Sequence, residues 1–338
     1  MLETSRLQRI WLVVLTGFWL VTTSHVAAQG PPAPRSDRNA EMLARRTIER
    51  LVLEDAFDAK LRQRIWAGGR EVVGVGHYEQ SGGGTGRFSL EMTIHDGDSR
   101  QTLKQISDGK LLWHRAQVGG TISIRRIDIG RIDEYEREVL AGQSVNVNAS
   151  AAAPDRLPAR LLAGGLVELL DQIANDFYLR VGKGTVERQP VWILRGTLRQ
   201  EARHRIKATA GGDQLASLCP SEVRIAIAAT ADANGFGAGL PIRIEYWSTP
   251  AHDLTTEPEA TLVSAESANT AQVSNDTDIA PKPINAPSGR LISLLEIYSM
   301  RKIEPSPVER FLFVVDDREG TFVNETYRYL NRITKPRQ

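Results

Sequence analysis

Apolar and polar residues alternate one by one along much of this chain, and the places where that rhythm fails mark its helices and turns. From Arg87 to Ile94, Phe88, Leu90, Met92 and Ile94 alternate with Arg87, Ser89, Glu91 and Thr93, the pattern of a strand with one buried and one wet face. Similar strand signals run through Ala59 to Gln80, with a break expected at Gly68-Gly69, and through Gly119 to Ile129. They return in segments opening at Pro190, Ser221, Gly239 and Arg290. Two turns punctuate the first half. One holds Gly82, Gly83, Gly84 and Gly86; the other is Asp108-Gly109 between two apolar segments, the strongest hairpin signal in the chain.

Three regions follow a helical period instead. Asp37 to Phe57 places Leu43, Ile48, Leu51, Val52 and Phe57 on one side, behind a cap at Ser36 or Asp37. Between Asp133 and Val181 the helical pattern is clearest in Leu157, Leu161, Leu162, Leu166, Leu169, Leu170, Ile173 and Phe177, with a bend expected at Gly164-Gly165. A closing segment is expected at Phe311 to Asp317 and a terminal helix from Val323. The order of helix, hairpins, helical insertion and further hairpins describes an α+β fold, a strongly curved antiparallel sheet whose concave side is covered by helices. The whole of residues 37–338 reads as one domain. It carries a polar, aromatic-poor insertion at about 249–288 that has the composition of disorder.

Composition narrows the partners. The 338 residues carry 42 Lys plus Arg against 41 Asp plus Glu. This balance provides no long-range field for nucleic acid or an anionic bilayer. Arg6 and Arg9 precede an apolar run from Ile10 to Val21, followed by small residues up to Ala28, the layout of an export signal cleaved near Ala28 and followed by a flexible leader over 29–36. The alternative, an uncleaved anchor, calls for about 20 apolar residues. Cys219 is the sole cysteine, so no intrachain disulfide and no cysteine-based metal site can form.

Candidate chemistry is thin. The glycine cluster lacks both the dinucleotide spacing and a Gly-Lys-Ser/Thr ending, and an alternating strand follows it where a phosphate loop needs a helix N-terminus. His95 to Ser99 offers part of a calcium loop without its distal Glu. The histidines are scattered, and no Gly-x-Ser-x-Gly elbow is present. No catalytic residue, metal ligand or cofactor site is assigned. A carboxylate pair brought together across strands stays open as a hydrolase alternative.

At Lys104 to Arg115, "KQISDGKLLWHR", the chain resembles the strand–turn–strand of the LolA-like periplasmic lipoprotein carriers. Asp108, Gly109, Lys110, Leu112 and Trp113 match that motif one by one. The hairpin "GVGHYEQ" and "RFSLEM" and the closing "VERFLFVVDDREGTFVNET" resemble the family's first hairpin and its last segment. The resemblance implies a half-barrel closed by helices, exported to a bacterial envelope, with an apolar hollow for the acyl chains of lipids or lipoproteins. Where those carriers place Arg-Pro, this chain has Glu79-Gln80-Ser81.

The expected lining is Phe88, Leu90 and Met92, with Leu161, Leu166, Leu169 and Leu170 as lid. The expected occupant is an acyl chain, held by a monomer without a chemical step. A sensor or interaction module that meets an envelope protein partner on the same fold is the second reading.

Overall fold

The computed structural model describes residues 35–67, 69–97, 99–143, 157–210, 219–248, 289–314 and 321–333. The expected signal segment, most of the leader and the 249–288 insertion lie outside these residues.

Twelve strands form one open sheet. In chain order they are β1 Phe57–Ala67, β2 Arg70–Gln80, β3 Arg87–Asp96, β4 Ser99–Asp108, β5 Leu111–Val118, β6 Thr121–Asp128, β7 Phe177–Val186, β8 Gln189–Leu198, β9 Pro220–Ala228, β10 Pro241–Ser248, β11 Arg290–Lys302 and β12 Val323–Asn324. The spatial order is β12-β6-β5-β4-β3-β2-β1-β11-β10-β9-β8-β7. Every pairing is antiparallel except the short parallel contact of β12 with β6. The helices are α1 Arg38–Leu53, α2 Ile129–Gln143, α3 Gly165–Asp176, α4 Gln200–Ala210 and α5 Thr326–Ile333, with 3-10 turns at Ala159–Leu162 and Val308–Phe311. This is the curved antiparallel α+β half-barrel that the alternation predicts.

Parity sorts the strand residues into two faces, and the helices cover one of them. Leu61, Met92 and Leu103 share one face with Ala59, Tyr78, Phe88, Leu90 and Leu112, and all of them join Leu51, Leu166, Leu170 and Ile173 of α1 and α3 in one apolar core. Two glycines of β2 let the layers come close on this face. A Cβ at Gly74 would stand 2.2 Å from the Ile94 side chain, and one at Gly76 2.2 Å from Met92 Sδ and 2.3 Å from the Glu91 carbonyl. The β3 side chains therefore lie flat over β2.

Several boundaries differ from the sequence reading. Phe57 opens β1 and is no longer part of α1, because the chain turns extended at Glu54. Phe177 to Val181 is not helical: Phe177, Leu179 and Val181 face the core from β7 while Arg180 is exposed. Phe177 lies four residues after Ile173, so one residue fits both periods. Helix α2 begins at Ile129, before the expected Asp133, and α4 carries too weak an apolar stripe to announce itself. Phe311 closes a 3-10 turn instead of starting a strand, and residues 315–320 lie outside the described range.

Candidate functional site

The glycine-rich turn caps a helix. Gly83 N–H donates to Glu54 O at 2.8 Å and Gly84 N–H to Val52 O at 2.9 Å, at the C-terminal end of α1. Gln80 Nε2 adds a bond to Leu51 O at 2.5 Å while its Oε1 accepts from the Tyr78 hydroxyl. Carbonyls left over at a helix end need such donors. The same backbone N–H groups that would hold a phosphate thus serve the negative end of a helix dipole. Burial pushes the Tyr78 hydroxyl pKa far above its ordinary value, so it stays a donor.

The motif residues Asp108, Gly109, Lys110, Leu112 and Trp113 tie elements together. Asp108 Oδ1 accepts from the N–H groups of Lys110 and Leu111, both at 2.7 Å. Lys110 O receives Ile129 N–H at 2.8 Å and so starts α2. Gly109 has φ +87°, and a Cβ there would reach Thr85 O at 2.4 Å, so the two turns touch backbone to backbone. Leu112 is wholly buried beneath Gly164, whereas Trp113 points to the opposite, outer face.

On that outer face runs a strap, which includes the start of the expected closing segment. After β11 the chain crosses β3 and β4, burying Phe311. Phe313 stacks on Trp113 at 5.2 Å, and Phe322 meets the same indole edge-on at 5.2 Å. The chain then pairs as β12 with β6 and turns into α5, whose Tyr329 enters the core on the helix-covered side.

The expected lining and lid residues lie together in that core. Phe88, Leu90, Met92, Leu161, Leu166 and Leu170 are buried in it, and Leu169 packs against it. A cavity of about 10 Å3 lies between the helices and the β7–β9 half of the sheet, lined by Ala44 and Thr47 of α1, by Leu170, Ile173 and Ala174 of α3, and by strand residues that include Leu179 and Ile225. Of the expected residues only Leu170 borders it.

Helix α3 is latched above the sheet by polar groups. Gly164 precedes it and Gly165 opens it, both at positive φ. Gly165 N–H donates to Gln105 Oε1 at 2.9 Å, reaching down to β4. Glu168, buried, accepts from Gly164 N–H at 2.9 Å and from the Tyr329 hydroxyl at 3.0 Å. The sequence signal for Gln105 was its parity: it shares the apolar side of β4 with Leu103. Among the described residues, five further buried side chains each leave one atom without a hydrogen-bond partner: Thr47 Oγ1, Gln63 Oε1, Glu79 Oε1, Gln101 Oε1 and His114 Nε2. Burial, aided by the neighbouring Arg125, holds the His114 pKa down at about 3, so the ring is neutral at pH 7. Among the described residues no group of His, Cys, Asp and Glu is placed to hold a metal ion, and no helix is long and apolar enough to cross a membrane.

No protein-family model and no curated protein matches the chain. Solved structures do. The Pseudomonas aeruginosa MucA/MucB complex aligns at 11% identity over 82% of this chain and 61% of that one, with a TM-score of 0.32. The LolA superfamily protein NE2245 from Nitrosomonas europaea aligns at 11% identity over 81% and 97%, with a TM-score of 0.26. A putative outer membrane lipoprotein-sorting protein domain from Vibrio parahaemolyticus aligns at 8% identity over 80% and 95%, with a TM-score of 0.31. The chain spans 60% to 64% of the length of the MucB structures it matches.

Proposed function

We propose that the chain is an exported, non-enzymatic binding protein that holds the acyl chain of a lipid or lipoprotein between α1, α3 and the concave face of the sheet. In this reading it is a monomer of the bacterial envelope, freed of its signal segment near Ala28, and it passes its cargo to a partner. The observation that carries the reading is a continuous apolar face under a helix that is latched by two polar contacts to other elements, with a cavity at Leu170.

The energetics fix the size of the cargo. Lifting α3 exposes Leu166, Val167, Leu170 and Ile173, at about 1.5–3 kcal/mol for each fully buried side chain, or about 6–12 kcal/mol together. An acyl chain recovers about 0.8 kcal/mol per buried methylene, so about 8 to 15 methylenes offset the opening. The cargo is accordingly a long chain, and short acids leave the protein shut.

Mass spectrometry of solvent extracts from the purified protein, together with titration of a fluorescent acyl probe, tests this. Co-purified lipid and a saturable probe signal are expected. Recovery of no lipid and no probe response would reject the carrier and favour the second reading, an interaction module. That reading draws on Leu312, Val314, Phe322 and Val323, which are exposed along the strap and its continuation into β12.

A further inference from the structure

We propose that the outer face of the sheet binds a phosphate group across β7 and β8, gripped by Arg180 and Arg195 with Arg224 and Arg199 beside them. The inference lies beyond the acyl reading and does not depend on it, because the hollow is on the opposite face.

The charge balance of the whole chain conceals a local excess. Residues 177–210, which hold β7, β8 and α4, carry eight Arg and Lys against two Glu. Register concentrates that charge. Arg180 of β7 stands opposite Arg195 of β8, and Arg195 stands opposite Arg224 of β9. Their strand neighbours Leu179, Leu194, Val223 and Ile225 face the core, so the three arginines share the outer face. Like charges directly opposite one another destabilise a sheet, and the mismatch is repeated over two consecutive pairs. Burial, and after it the charge of Arg224, pulls the Arg195 pKa below its ordinary value.

The nearby carboxylates gather on the β9–β10 side. Glu222 is held by Arg224 at 2.7 Å. Glu245, opposite Arg224, is held by Arg243 at 2.7 Å and by Trp247 Nε1 at 3.1 Å. At the β7–β8 end the row consists of arginines alone. Two aromatic rings flank it: the Arg199 guanidinium lies 4.8 Å from the centre of the Tyr178 ring, and that of Arg224 5.5 Å from Trp247. Such stacking steadies a guanidinium without neutralising it. Because β7 is the last strand of the sheet and Arg180 is exposed, a ligand can approach from the edge.

The guanidinium fork matches the oxygens of a carboxylate or phosphate two at a time. One fork occupies both oxygens of a planar carboxylate, whereas a tetrahedral phosphate still presents oxygen to a second fork on the neighbouring strand. The group that fits is therefore a phosphate, free or borne by a lipid.

Titration calorimetry of the purified protein with sodium phosphate, against sodium chloride at equal ionic strength, tests this. Saturable binding of phosphate alone is expected, with a rise in melting temperature. Arg180→Gln and Arg195→Gln should each weaken phosphate binding at least about tenfold, the worth of one charge-assisted hydrogen bond. In phosphate-free buffer both variants should melt no earlier than the wild type, since each relieves a like-charge pair. Arg188→Gln, in the exposed β7–β8 turn, should bind phosphate as the wild type does. Vesicles separate the two sources. Co-sedimentation with phosphatidylglycerol vesicles that is lost in Arg195→Gln assigns the phosphate to a lipid headgroup, and phosphate binding without co-sedimentation assigns it to a soluble phosphate. Equal responses to phosphate and chloride overturn the inference. So does phosphate affinity that both variants retain, or that Arg188→Gln lowers equally. Earlier melting of the variants in phosphate-free buffer would assign the arginines to the fold and overturn it as well.

Discussion

Glu79 on the outer end of β2, 2% exposed, is held by the guanidinium of Arg310 at 2.8 Å, and this pair fastens the strap to the sheet. It stands at the position where the resembled carriers place Arg-Pro. Here the sheet supplies the carboxylate and the strap supplies the arginine, while the adjacent Gln80 turns inward to α1. The arginine is 60% exposed, so its own loss of solvation is small and the cost of breaking the pair falls on the buried carboxylate.

Arg310→Ala should therefore destabilise the protein by about 1–2 kcal/mol, below the range for a fully buried pair because solvent screens the exposed partner. Adding Glu79→Gln to that variant should recover part of the loss, since a neutral amide is cheaper to leave there. Urea denaturation of the three proteins measures it; equal stability of the single and double variants would reject the account.

His114 predicts an acid sensitivity. Its folded pKa of about 3 lies below the usual value of 6.5 because burial penalises the charged ring. The unfolded chain binds a proton that the folded chain refuses, so stability is intact above pH 6.5 and declines as pH falls from there towards 3. At pH 5 the decline is about 2 kcal/mol. His114→Leu should flatten the melting temperature between pH 7 and pH 5 relative to the wild type, and an unchanged slope would show that other groups govern it.

Two glycines at positive φ should respond differently to alanine. Gly83 has φ +58° and open space around its absent Cβ, whereas Gly109 has φ +87° and Thr85 O at 2.4 Å. Gly83→Ala should cost about 1–2 kcal/mol from backbone strain alone. Gly109→Ala should cost more, by about a further 1–3 kcal/mol, because the two turns must separate. Thermal melts of both variants decide it, and equal losses would contradict the contact between the turns.

Filling the cavity should oppose the cargo. Ala174→Met places a flexible apolar chain against the space lined by Leu170 and Ile173. The melting temperature should hold or fall by a few degrees, because the added chain exceeds the space, while the affinity for a fluorescent acyl probe falls about tenfold, a loss of about 1.4 kcal/mol. Undiminished probe affinity would move the binding site elsewhere on the face.

Much of this architecture could be read from alternation, because one side of each strand is buried and its period is two. Phe88, Leu90 and Met92 were legible as one face, and the turns at Gly83 and Gly109 as turns. Parity alone could not say which face the helices cover; that shows only in the packing of Tyr78, Phe88, Leu90 and Leu112 with Leu51, Leu166 and Leu170. The latch was illegible for a different reason. Gln105, Glu168 and Tyr329 come from β4, α3 and α5, and their meeting depends on a strap that rounds the β6 edge, a long-range event with no local signature. Phe177 misled because it satisfies both periods at once.

The two lid helices are mounted in unlike ways. Helix α1 is fastened at both ends: at its start through Asp37 N–H donating to Leu179 O and Leu179 N–H donating to Ser36 Oγ, and at its finish through Gly83, Gly84 and Gln80. It behaves as a crossbar. Helix α3 is a cantilever, rooted where it runs straight into β7 at Phe177 and clasped at the far tip by Gln105 and Tyr329. On the acyl-binding proposal, α3 would swing from its β7 end, and loosening Gln105 or Tyr329 would accelerate loading and unloading together, a change in traffic more than in grip.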